Sequence, residues 1–197
     1  MRVFLETERL ILRQFTMDDL DDLCDLNSDP EVMRYTTGGL PVPREMIEHD
    51  FLPYYLAYYV RSKGYGFWAV IEKASGEFLG WFHFRPHTGE PPDQPELGYR
   101  LKRSAWGKGY ATEGSAALID KGFAEFGVQR VVASAYGENV ASWRVMEKVG
   151  MTLVRTFRIP IEEMDEVPGI DPALFDGDDV EYAITKAEWE ARRMRDQ

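Results

Sequence analysis

A single α/β domain is what the sequence predicts, on three observations. Runs with a two-residue apolar period alternate along the chain with runs of helical period, which is the mark of mixed α/β architecture. The 197 residues, 44% of them hydrophobic and 13% aromatic, suffice for one sizeable core and are short for two, so residues 1–197 are taken as one domain. Two β-rich segments, 66–72 and 77–85, flank the tight turn Lys73-Ala74-Ser75-Gly76, which is a hairpin signature.

The elements follow in order. Residues 7–14 alternate into Leu10-Ile11-Leu12 and read as a first strand, after which Thr16 and Asp19 look like a capped helix start, with Leu20, Leu23 and Cys24 as its inner face. Asp29-Pro30-Glu31 opens a short helical turn, and Thr36-Thr37-Gly38-Gly39 reads as loop. Residues 44–62 read as a helix disturbed at Pro53, because proline removes a backbone donor and crowds the preceding turn. The hairpin supplies the second and third strands, residues 86–95 are a Pro-rich loop, and 96–101 is a fourth strand. A glycine-rich turn leads to a helix whose inner positions are Ser115, Leu118, Ile119, Gly122, Phe123 and Phe126. Residues 130–135 form a buried fifth strand. Asn139 opens a short helix that Gly150 closes, and residues 151–161 return as a strand. The acidic, Pro- and Gly-containing stretch 162–179 reads as a loop, followed by a strand at 180–185 and a terminal helix begun by Thr185 and Glu188.

Composition narrows the function. A net charge of −11 opposes nonspecific nucleic-acid binding, which needs clustered Lys and Arg, and makes cationic acceptors the better expectation. No stretch approaches the roughly 18 apolar residues of a membrane span, and the first residues lack the pattern of a secretory signal, so a cytoplasmic location is expected by default. Cys24 is the single cysteine and is read as a packing residue. His49, His83 and His87 lack the spacing of a helical ligand pair, so no metal is expected.

The chemistry is concentrated in Trp106-Gly107-Lys108-Gly109-Tyr110-Ala111-Thr112, between a strand and a helix. There, successive backbone N–H groups and a helix N-terminus together make an anion site. Neither the Walker pattern nor a full Gly-x-Gly-x-x-Gly is present, since Thr112 occupies the third glycine position, so the loop alone is equally a structural turn.

The surrounding residues resemble the GNAT acetyltransferase superfamily, whose pyrophosphate motif is Gln/Arg-x-x-Gly-x-Gly/Ala. Gly109 and Ala111 match it, and Trp106 departs at the first position. Thr7-Glu8-Arg9-Leu10, the run from Asp29 to Tyr35, and Asn139-x-x-Ser142-x-x-x-x-Glu147-Lys148-x-Gly150-Met151 resemble its Rim-like branch of ribosomal-protein-alanine/serine acetyltransferases. The resemblance implies a GNAT fold: a mixed, mostly antiparallel sheet of six or seven strands, flanked by four or five helices and splayed between strands four and five. It further implies an acetyl-CoA-dependent N-acetyltransferase acting on a primary amine of a protein N-terminus or a small molecule, with a homodimer as a common state of such proteins.

By the same resemblance, Tyr99, Arg100 and Leu101 offer strand backbone to the pantetheine, the loop from Trp106 to Thr112 holds the pyrophosphate, and Asn139 hydrogen-bonds the pantetheine arm. Asn139 is also a natural helix cap. Where many members carry a proton-donating tyrosine this chain has Met146, so Ser142 is the substitute donor to the departing thiolate, or else a local cap. Glu96 either accepts the ammonium proton, if burial raises its pKa, or is a solvated strand-end carboxylate. Tyr136 is a candidate for the acceptor channel. Trp68, Trp81 and Phe84 and the tyrosines at 54, 55, 58 and 59 read mainly as packing, and Glu162, Glu163, Asp165, Glu166, Asp176, Asp178 and Asp179 as a solvated acidic loop. A second class of function is an acyl-CoA-binding sensor or interaction module that has lost its proton-transfer groups.

Overall fold

The computed structural model describes residues 2–62, 64–87, 89–158 and 177–195. Those residues form one eight-stranded sheet in the order β1-β2-β3-β4-β5-β6-β8-β7. The strands are β1 Val3–Glu6, β2 Leu10–Arg13, β3 Gly66–Glu72, β4 Phe78–Arg85, β5 Glu96–Leu101, β6 Arg130–Tyr136, β7 Thr152–Phe157 and β8 Asp179–Thr185. The extra strand relative to expectation is β1, an edge strand that pairs with β2 through a register shift and stacks Phe4 on Trp68 at 3.7 Å. All neighbours are antiparallel except β5 and β6, which run parallel and pair only at Glu96 opposite Val132. This is the expected splay, displaced by one in chain order by β1.

Helices cover both faces, which is why β3 and β4 read as nearly continuous apolar runs. On one face Trp68, Val70, Phe82, Phe84, Leu97 and Leu101 pack against Leu118, Ile119 and Phe123 of α5 (Tyr110–Glu125) and Met146 of α6 (Val140–Lys148). Ser115, Leu118, Ile119, Gly122 and Phe123 are buried in α5, as its spacing indicates, together with Tyr110 and Gly114; Phe126, expected on the same face, is the half-buried C-cap just beyond the helix. On the other face Phe67, Ala69, Phe78 and Trp81 meet Leu23 and Leu26 of α1 (Leu20–Ser28), with Ile47, Leu52 and Tyr55. Cys24 is partly buried against this second core, and burial pushes its thiol pKa up, as a packing role requires.

Local signals explain the element ends. The Asp29 carboxylate caps α2 (Pro30–Thr37), which runs through Thr36 and Thr37 and so takes in part of the expected loop before Gly38 stops it at φ +68°. The disturbance expected at Pro53 is a π-helical stretch, Ile47–Phe51, between α3 (Arg44–Met46) and α4 (Leu52–Arg61). Widening the turn there removes the demand for a proline N–H and relieves its clash with the preceding carbonyl. Thr185 and Glu188 form a reciprocal capping box for α7 (Lys186–Arg195), with Thr185 N–H donating to Glu188 at 2.8 Å. Of the acidic stretch, residues 162–166 and Asp176 lie outside the described residues.

Candidate functional site

Where β5 and β6 part, the sheet opens into a cleft of about 730 Å³. One wall is β5 with the loop 106–109 and the start of α5; the other is β6 with the start of α6; α2 stands over one end. Of the residues singled out from sequence, Glu96, Tyr99, Arg100, Leu101, Trp106, Gly107, Gly109, Tyr110, Ala111, Thr112, Asn139 and Ser142 all line it. Lys108 does not: its carbonyl is turned toward Arg9, which donates to it at 2.9 Å.

Gly107 and Gly109 adopt φ +72° and +84°, conformations that L side chains rarely adopt. They turn the chain so sharply into α5 that the first helical bond is Glu113 N–H to the Gly109 carbonyl. The amides of residues 107–112 find no protein acceptor among the described residues. A row of unspent N–H donors at a helix N-terminus, with open space at Gly107, is a cradle for an anion.

The loop is braced from behind by residues whose role the sequence did not reveal. Thr7 donates to Glu113 at 2.5 Å, while Arg9 gives Glu113 both its backbone N–H and its guanidinium, at 2.9 and 2.6 Å. Arg9 also lies over the Tyr110 ring at 4.5 Å, and the Tyr110 hydroxyl donates to Glu72. The Thr7 and Arg9 contacts span more than a hundred residues of sequence and the Tyr110–Glu72 contact spans 38, so no local pattern announces them. Trp106, the departure from the family motif, spends its indole N–H on the Leu101 carbonyl at 2.9 Å and so ties the loop to the end of β5.

Asn139 does cap α6, its side chain accepting from Ser142 N–H at 3.3 Å, which leaves its NH₂ group over. The Ser142 hydroxyl and the Tyr99 phenol line the cleft together, and Ser142 acts on the Tyr99 phenol as a hydrogen-bond donor. Burial pushes the Tyr99 pKa up, and the Ser142 bond offsets part of that, so the phenol keeps its proton at neutral pH. Met146 is buried in the core.

Glu96 differs from both of its expected states. It is not solvated, with only 16% of its side chain exposed, and its pKa is lowered rather than raised. Burial pushes the carboxyl up, but the His87 hydrogen bond and the charges of His87 and Arg85 pull it below its ordinary value. His87 Nε2 lies 2.8 Å from Glu96 Oε2 and is raised by that bond; His83 Nε2 lies 3.7 Å away, and burial holds it down at about 4, a neutral imidazole. Spacing along the chain hid this cluster, because His83 and Glu96 meet only across the β4–β5 ladder. Gly98 is opposite His83, whose ring fills the place of a side chain there.

Trp81 forms part of the cleft, whereas Trp68 and Phe84 are core. Tyr55 is buried against Phe67 at 4.0 Å and Tyr59 donates to the Phe67 carbonyl, so these two are packing residues. Tyr54 and Tyr58 carry Arg61 over their rings at 5.9 and 5.1 Å. Tyr136 lines the cleft. Among the described residues no group of three His, Cys, Asp or Glu could hold a metal, and no helix is long and apolar enough to cross a membrane.

The acetyltransferase (GNAT) domain model matches residues 9–152 of the chain. The chain is 35% identical over 185 residues to FsC-acetyl coenzyme A-N(2)-transacetylase of Aspergillus fumigatus, covering 90% of itself and 71% of that protein. A solved GNAT-family acetyltransferase from Bacillus anthracis matches with a TM-score of 0.74 at 28% identity, over 93% of this chain and 99% of that one. The aminoglycoside acetyltransferase AAC(6')-Ib in complex with coenzyme A shares the fold, with a TM-score of 0.70 at 21% identity over 93% and 99% of the two chains.

Proposed function

The chain belongs to the acetyltransferase (GNAT) family and is an acetyl-CoA-dependent acyltransferase, and from that premise we propose that it moves the acetyl group directly onto a primary amine. The observation that carries this reading is the single cleft in which the donor-rich loop, the Tyr99–Ser142 pair and the Glu96 cluster face one another. A relative named for transfer to an N(2) position supports nitrogen as the acceptor atom. Within the family, the quoted motifs favour the Rim-like branch, whose members acetylate varied amines, so the branch leaves the acceptor to be identified by assay.

The amides of residues 107–112 bind the pyrophosphate, and the β5 edge left unpaired beyond Glu96 takes the pantetheine as an added strand through Tyr99, Arg100 and Leu101. Asn139 adds its free NH₂ to the arm while its oxygen caps α6. Acetyl-CoA supplies an activated acyl carbon and a thiolate leaving group. Glu96, backed by His87, takes the ammonium proton directly or through water, so that the nitrogen lone pair can attack the thioester carbon. A carboxylate with a lowered pKa is a weak base, so the proton does not stay on Glu96 but passes to solvent, while His87 holds the carboxylate in place through its hydrogen bond. As the C–S bond breaks, the Ser142 hydroxyl gives its proton to the sulfur and is reprotonated from solvent in the cleft.

The test is thiol release from acetyl-CoA against N-terminal peptides, polyamines, amino sugars and amino acids, repeated with Gly109→Glu and Ser142→Ala. Turnover of one amine class that both variants reduce supports the reading. Tight acetyl-CoA binding with no turnover on any class would favour the sensor instead.

A further inference from the structure

Three rungs of the β4–β5 ladder underlie the acceptor end of the cleft, Arg85 opposite Glu96, His83 opposite Gly98 and Trp81 opposite Arg100, and all of these residues but Arg85 line it. The first two rungs hold the proton-transfer cluster. The third holds a cation of another kind.

The Arg100 guanidinium donates to the Asn27 side-chain oxygen and to Thr36 Oγ1 at 3.3 Å, and it lies over the Trp81 ring at 5.3 Å. All three neighbours are neutral. Among the described residues no carboxylate pairs with it, whereas Arg9, Arg13 and Lys102 each have one within 3.1 Å. Burial depresses its pKa, with only the Tyr55 phenol opposing. A guanidinium cannot shed its proton at working pH, and it offers five N–H donors in a planar fork that matches an oxyanion. A half-buried charge without a counter-ion is costly, and proteins pair such charges as a rule. Arg34 of α2, on the wall of the same cleft, is likewise without a carboxylate partner among the described residues.

We infer that Arg100 is the anion-binding group of the acceptor site, and that the amine this enzyme acetylates carries a carboxylate or a like oxyanion which pairs with the guanidinium. This rests on the amine-acetylation reading above. The chain's net charge of −11 suggests a cationic acceptor, but the field inside the cleft is set by the groups lining it, and at this end the carboxylates Glu31 and Glu96 are matched by the cations Arg34 and Arg100, with Glu96 set toward the amine and Arg100 four residues away from it. Glu96 and Arg100 stand four residues apart on one face of β5, about 13 Å between Cα atoms at ~3.3 Å per residue. Amine and oxyanion are therefore separated by several bonds, which favours a longer aminocarboxylate over an α-amino acid.

The experiment uses ω-aminocarboxylates of increasing chain length, each paired with its carboxamide. Turnover of each is followed by thiol release, and binding of the N-acetylated forms to CoA-loaded protein is measured by calorimetry. At the fitting length the acid is expected to exceed its amide by about tenfold or more in kcat/KM and in affinity, the yield of one charged hydrogen-bonded pair. That ratio is expected to fall to about one in Arg100→Met and to be partly kept in Arg100→Lys. Acid and amide within about twofold at every length in the unaltered protein would overturn the inference while leaving amine acetylation intact. Acid-selective binding with no turnover would instead sink the acetylation reading and keep the anion site. The unaltered protein alone decides the matter, so a variant that fails to fold does not blunt the test.

Discussion

Replacing Gly107 by alanine separates what the glycine loop does for the fold from what it does for the ligand. At φ +72° an added Cβ meets no protein atom within 4 Å, so the cost to folding is backbone strain alone, about 1–2 kcal/mol for an L residue in the left-handed region. For a domain of this size that corresponds to a fall of roughly 2–8 °C in Tm. Gly127 provides the control, with φ +69°, open space around its Cβ position and a place at the far end of α5. At ~1.5 Å per residue it lies about 24 Å from the loop. Gly127→Ala should lose the same stability and bind acetyl-CoA unchanged. Gly107→Ala should also hold the pyrophosphate off the amides of residues 107–112. Losing one charged hydrogen bond, worth about 1.5–3 kcal/mol, weakens binding roughly tenfold to a hundredfold. Calorimetric titration with acetyl-CoA beside thermal melts reads both quantities. Equal affinities for the two alanine variants would refute the assignment of the loop as the anion cradle.

Three more outcomes follow from the geometry. Ser142→Ala should lower kcat by about a hundredfold or more with acetyl-CoA affinity nearly unchanged, and Tyr99→Phe should lower it less; an undiminished kcat in Ser142→Ala, measured by thiol release, means that the thiolate takes its proton elsewhere. His83 is held near 4 in the fold against 6.5 when free, so the unfolded chain takes up a proton that the folded chain refuses. Its contribution is complete above about pH 6.5 and is lost as pH falls toward 4, about 3 kcal/mol in all; urea unfolding across that range should show this acid loss, and His83→Asn should remove it. Arg13 and Asp19 form a buried pair at 2.5 Å, in which burial raises the Asp19 pKa but the Arg13 and Thr16 hydrogen bonds bring it net down. Asp19→Asn should cost about 3–5 kcal/mol by stranding a buried guanidinium, and a loss below 1 kcal/mol on urea unfolding would show the pair to be solvated.

Much of this architecture is legible in the sequence because its signals are local. The hairpin turn, the Thr185–Glu188 cap, the proline disturbance and the inner face of α5 each need only a few neighbouring residues to specify them. β1 escaped because four residues at a sheet edge are too few to display a period, and what fixes them is the distant stack of Phe4 on Trp68. The half of the cleft proposed for the cofactor lies largely on one continuous strand-loop-helix segment, residues 96–125, so its candidates could be named together from a local motif. The acceptor half could not: His83, His87 and Glu96, or Arg100 with Asn27 and Thr36, meet only once strands are in register and α1 and α2 are docked. The pKa of Glu96 ran against expectation for the same reason, since burial was foreseeable and the His87 imidazole beside it was not.

The most direct test of the central claim is the mass of the acceptor. When the protein is incubated with acetyl-CoA and the amine panel, one free CoA thiol is expected for each acetyl group gained by the amine, with the acetyl group on nitrogen. Hydrolysis of acetyl-CoA with no mass gain on any amine, or binding with no reaction at all, would contradict it.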